Sequence, residues 1–165
     1  MKTVSLSIVF ISLVTTASAD ALRDQITAAN AGYHKAMIKN DMKAMEAMMK
    51  NNITSDFTYE EMGRKLNFDQ MITQMKAGMG AMKKITEANS KLITLKETGT
   101  KATATTLRSM AGVTMGPDKK QHTMAFSGTT TDTYVKQGGK WKFSKMVWGK
   151  QTMSMDGKVM DPSKM

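Results

Sequence analysis

Met42, Met45, Met48 and Met49 recur at the three- and four-residue spacings that line thioethers along one helical face. Thioethers are ligands for Cu(I), and His122 with Met124 adds a nitrogen–sulfur pair. The same spacing also serves burial. The chain holds nineteen methionines, while beyond its first nineteen residues it has only five leucines (Leu22, Leu66, Leu92, Leu95 and Leu107). Methionine is therefore read as the core filler, a flexible side chain that closes irregular gaps, and no metal is assigned. His34 and His122 have no acidic cluster beside them in the sequence, so zinc has no support. Asp118 and Asp132 take ordinary turn and strand positions. With no cysteine there is no thiolate nucleophile, and neither a Gly-x-Ser-x-Gly elbow nor a Gly-rich phosphate loop occurs. No cofactor is indicated.

Those side chains sit on a sequence whose pattern changes midway. Leu22, Ile26, Ala29, Tyr33 and Met37 mark one face of a first helix, with Asp20 as its expected cap. Asn40-Asp41 ends it and starts a short second helix through Met49, stopped at Asn51-Asn52. Asn52-Ile53-Thr54 matches a glycosylation sequon, which matters only in a host that secretes through an endoplasmic reticulum. Phe57-Thr58-Tyr59 alternates as a short strand, followed by a turn at Gly63. Asn67 is placed to cap a third helix with Phe68, Met71, Ile72, Met75 and Met79 inward.

From there the period changes to two. Strands are expected over about 85–97, 101–115, 121–136 and 140–155, separated by Gly99, Gly116-Pro117-Asp118 and Gly138-Gly139. Successive hairpins make an antiparallel meander, and strands this long must bend or bulge. Trp141 and Phe143 share one parity, Met146 and Trp148 the other. A bulge near Ser144-Lys145 would bring all four to one face. Thr103, Thr105, Thr129, Thr131 and Thr133 suit a half-exposed sheet face. Helices followed by a run of strands predict an α+β domain with helices on one face of the sheet.

Residues 1–19 read as a secretory signal peptide: Lys2, an apolar run from Val4 to Val14, then Ala17-Ser18-Ala19 as cleavage site. An eleven-residue run is too short to span a bilayer, and no later stretch would do so. The mature chain would begin at Asp20, exported to a periplasmic or extracellular space and free of the membrane. With Lys2 gone, 23 basic residues face 14 acidic ones, a net of +9. The lysines are scattered, only Arg23, Arg64 and Arg108 are available to fork phosphate, and no basic stripe alternates with aromatics. Nucleic acid is not the expected partner.

The order of these elements, with Asp56-Phe57-Thr58-Tyr59 and the closing Gly138-Gly139-Lys140-Trp141-Lys142, resembles the nuclear transport factor 2-like superfamily, its SnoaL-like branch in particular. The resemblance covers about residues 21–152. It implies a cone in which three N-terminal helices pack on a strongly curved antiparallel sheet, with a pocket at the open end. Domain limits follow: a SnoaL-like domain over 20–155 and a loose tail over 156–165.

The steroid isomerase branch of that superfamily uses a first-helix tyrosine as oxyanion donor and a carboxylate past the first strand as base. By the resemblance these fall on Tyr33 and on Glu60 or Glu61. The second acidic donor of that site has no counterpart around Arg108-Ser109-Met110. The simpler expectation is a non-catalytic binding domain for an apolar small molecule, its pocket bounded by Tyr33, Tyr59, Phe126, Met146 and Trp148. The alternatives are an isomerase or lyase using Tyr33 with Glu60 or Glu61, and a module that forms a homodimer through the sheet.

Overall fold

The computed structural model describes residues 16–160. The expected leader therefore lies outside the described residues up to position 15, and so do the last five residues of the expected tail. Among the described residues no helix is long and apolar enough to cross a membrane.

Helix α1 (Thr16–Ile38) starts four residues upstream of Asp20, which lies within it and does not cap it. Leu22, Ile26 and Ala36 are its buried apolar positions, and Asn30 is buried on the same side. Asn40 turns the chain with a left-handed backbone, φ 53°, a region that asparagine tolerates. Asp41 then caps α2 (Met42–Asn52) by accepting from the Ala44 N–H at 2.9 Å. Helix α3 (Phe68–Gly80) opens on a reciprocal capping box between Asn67 and Gln70.

Among the described residues seven strands form one sheet: β1 (Ile53–Glu61), β2 (Arg64–Leu66), β3 (Met82–Thr98), β4 (Lys101–Met115), β5 (Gln121–Gln137), β6 (Lys140–Met155) and β7 (Lys158–Met160). The order is β2-β1-β6-β5-β4-β3, with β7 beside β6. The expected meander is β3 to β6. Two details of the expectation are corrected. First, β1 runs parallel to β6, so the sheet is mixed, not antiparallel throughout. Second, α3 follows the β1–β2 hairpin, so the three helices are not one N-terminal block. The short strands β2 and β7 were not anticipated, and β7 orders the start of a segment read as loose.

The bend has local causes. Thr133 pairs with Lys145 but Tyr134 with Phe143, which leaves Ser144 as the extra residue of a bulge. Its hydroxyl donates to the Thr133 carbonyl at 3.1 Å. The parity change buries Trp141, Phe143 and Met146 together and packs Trp148 against the same core. A second shift between Gly128 and Thr130, opposite Trp148 and Gln151, adds curvature further along. Beside the shifts in β3, Gly112 has no room for a Cβ, which would meet the Lys84 carbonyl oxygen at 2.4 Å. The Gly138-Gly139 hairpin takes positive φ at both positions (57° and 76°), the turn whose twist matches the flanking strands.

Inside the bend, Phe57, Phe143 and Tyr134 build an aromatic stack. Phe57 meets Phe143 edge-on at 5.2 Å, and Tyr134 lies on Phe143 at 5.0 Å. The methionine core is real: Met45, Met49, Met71, Met79, Met82 and Met146 are buried.

Candidate functional site

Between the helices and the hollow of the sheet lies a cavity of about 380 Å³. Its walls come from α1, α2, α3 and strands β1 and β3 to β6. Tyr33, Tyr59, Phe126, Met146 and Trp148 all line it. Alternation explains the β5 members: Phe126 and Tyr134 share a parity with the buried Thr130 and Asp132. Phe126 and Trp148 meet edge-on at 5.2 Å. The wall is otherwise rich in thioethers, Met37, Met75 and Met110 among them.

Two polar clusters interrupt the apolar wall. The first centres on Arg108 of β4. Its Nη2 donates to Asp132 Oδ2 at 2.7 Å, and its Nε to the Thr130 hydroxyl at 3.1 Å. Nη1 reaches Asn30 Oδ1 at 3.3 Å and Ser90 Oγ at 3.4 Å. The Thr106 hydroxyl donates to the same Asp132 oxygen at 3.2 Å, while the other oxygen, Oδ1, is buried without a partner. Asp132 is completely buried (0 %), so Arg108 is the charge that makes its burial tolerable. His34 joins through Ser90 at 2.9 Å. Burial lowers the His34 pKa below its ordinary 6.5, and the Arg108 charge adds to that. Tyr33 sits nearby. Burial raises its hydroxyl pKa, while Arg108 and the Asn52 side chain pull the other way.

The second cluster centres on Glu61, the last residue of β1. It shares parity with Phe57 and Tyr59 and so faces the cavity. Three neutral donors converge on it: the Tyr59 hydroxyl at 2.9 Å and Gln74 Nε2 at 2.9 Å on Oε2, and Gln151 Nε2 at 2.7 Å on Oε1. No cation forms an ion pair with it among the described residues. Burial raises the Tyr59 pKa strongly, and the Glu61 charge beside it raises it further. The Trp148 indole N–H leans toward the Tyr59 hydroxyl but makes no hydrogen bond of normal geometry.

Glu60, offered with Glu61 as a possible base, points to the other face of the sheet. It pairs there with Lys145 at 2.9 Å and does not line the cavity. Tyr33 and Glu61 do line the same space. The sequence reading missed Asp132 as a buried charge, although it shares parity with the inward Phe126 and Tyr134. It missed Arg108 too, in phase with the buried Ala102, Ala104 and Thr106. Gln74 and Gln151 carried no signal of their own.

One further correction concerns His122. Its sequence neighbourhood holds no acidic pair, yet the fold sets Asp156 at 2.7 Å from Nδ1 and Asp118 at 3.0 Å from Nε2. Both carboxylates raise the imidazole pKa, and His122 lowers theirs. The ring acts as a clasp between two turns, with Thr123 N–H also donating to Asp156 at 2.9 Å. Among the described residues no group of three or more His, Asp or Glu is arranged to hold a metal ion.

Comparison with known proteins places this architecture. The profile of the SnoaL-like domain matches residues 20–147. No curated protein matches the sequence. Among solved structures, a Kribbella flavida protein is similar over 81% of this chain and 95% of its own, at 12% identity and TM-score 0.63. A nuclear transport factor 2-like superfamily protein from Salmonella enterica is similar over 80% and 92%, at 14% identity and TM-score 0.59. A Novosphingobium aromaticivorans protein, provisionally described as a scytalone dehydratase, is similar over 83% and 91%, at 13% identity and TM-score 0.56. Likeness at such identities establishes the fold and leaves the chemistry to the site.

Proposed function

The chain belongs to the SnoaL-like domain family, and from that premise we propose that it is an exported domain whose cavity holds a small, largely apolar molecule. One observation carries the reading: a cavity of about 380 Å³ stays open at the centre of the fold although its walls include many flexible methionines that could have filled it. Its size and make-up, mostly apolar with a few placed polar groups, are those of a ligand site. Thioether walls adapt to differently shaped ligands.

Thermal unfolding with and without candidate ligands tests the reading. A compound present at a hundred times its Kd should stabilise the protein by about 2.7 kcal/mol. A panel of phenyl-alkyl and terpenoid compounds that leaves the melting temperature unmoved would argue against it.

Proton transfer is the second reading, favoured only by the presence of Tyr33 and Glu61 on one cavity. The three donors on Glu61 weigh against it, because they occupy most of the lone pairs a base would use. On that reading Tyr33→Phe would fold normally and lose turnover of a carbonyl or hydroxy substrate. A homodimer through the threonine-rich outer face is a separate proposal; a concentration-dependent dimer disrupted by Thr131→Glu would support it.

A further inference from the structure

The charges around the cavity do not balance, and the imbalance has an address. At one cluster Arg108 is cancelled by Asp132 at 2.7 Å, and the neighbouring His34 is held toward its neutral form. At the other cluster Glu61 is surrounded by neutral donors alone. Its nearest cationic neighbour along the chain, Arg64, is paired with it in register across the β1–β2 turn. That side chain is exposed and makes no ion pair with Glu61. Lys145 is engaged by Glu60 on the opposite face, and Lys76 by Glu46. The cavity therefore presents one net negative charge, set in a mostly apolar wall.

Resting on the binding role above, we propose that the ligand is an organic amine: an apolar body with a protonated nitrogen that docks on Glu61. A carboxylate has about four acceptor positions, and three are occupied. The one left suits a single ammonium N–H, giving a charge-assisted hydrogen bond at a part-buried carboxylate. Tyr59, Phe126 and Trp148 line the same cavity, and aromatic faces attract cations. An anionic ligand would meet repulsion from Glu61 and find the charge of Arg108 already compensated by Asp132. The net positive charge of the chain opposes a cation, but salt screens surface charges beyond about 10 Å.

The test uses three probes of one shape: 4-phenylbutylamine, 4-phenylbutanol and 4-phenylbutanoate, each titrated calorimetrically into the protein at pH 7. The expected order is amine, then alcohol, then acid, with the amine tighter than the alcohol by about tenfold. Glu61→Gln should erase the gap between amine and alcohol. The ranking on the unsubstituted protein decides the matter even if that variant folds poorly. Equal binding of amine and alcohol, or preference for the acid, overturns the amine assignment and leaves the binding role standing. A gap that survives in folded Glu61→Gln also overturns it. If none of the three binds, the binding role itself fails and the assignment falls with it.

Discussion

Arg108 and Glu61 mark two polar regions of one cavity, and they are built on opposite principles. Around Arg108 the charges are paired, four of the five guanidinium N–H groups have partners, and the carboxylate of Asp132 has no contact with solvent. Around Glu61 the partners are neutral and part-buried, and one acceptor position is unfilled. A buried ion pair of the first kind costs much to break and offers a ligand little. A carboxylate of the second kind costs little to alter and offers a ligand a charge. The difference separates a region that holds the sheet together from one suited to recognition.

The largest effect should come from breaking the paired region. Arg108→Met leaves Asp132 buried without its cation and is expected to cost about 3–5 kcal/mol in urea unfolding. Replacing both partners, as in Arg108→Met with Asp132→Leu, should recover most of that loss, since no charge is then stranded. By contrast, Glu61→Gln should cost about 1 kcal/mol, because a neutral amide can keep part of the hydrogen-bond set. Equal losses at the two positions would erase the distinction.

A smaller effect sharpens the same comparison by pH. His34, near Arg108, has a folded pKa below 6.5, so the unfolded chain binds its proton more readily. Its burial therefore costs stability as pH falls below 6.5, and that cost fades as pH rises through the window above its folded pKa. His122 has the opposite sign. Its raised pKa gives stability that is complete below 6.5 and lost as pH rises through the folded value. Imidazole resonances followed by NMR should titrate in that order, His34 first and His122 last on raising pH. Arg108→Met should move His34 upward and leave His122 alone.

Much of the fold was readable because its signals are local. The Asn67 cap, Gly138-Gly139, and the parity break at Ser144 each act within a few residues, and each appears where the sequence puts it. The parallel β1–β6 pairing was not readable, since nothing local in Ile53–Glu61 names a partner some ninety residues away. The site divided the same way. The parity break on β6 brought Met146 and Trp148 to the face of Trp141 and Phe143. Strand alternation, followed through to its polar members, would have separated Glu61 from Glu60 and flagged Asp132 as buried. Gln151 and the pair of aspartates on His122 depend on tertiary register, which no spacing rule supplies.

The central claim is that the cavity under the bent sheet is a place where a molecule binds. Methyl-labelled methionines report on it directly, because they are spread over both cavity wall and outer surface. On titration with 4-phenylbutanol, the signals of Met37, Met71, Met110 and Met146 should shift together and saturate. Those of the exposed Met62 and Met115 should stay in place. Shifts confined to Met62 and Met115, or none at all at saturating ligand, would contradict the account.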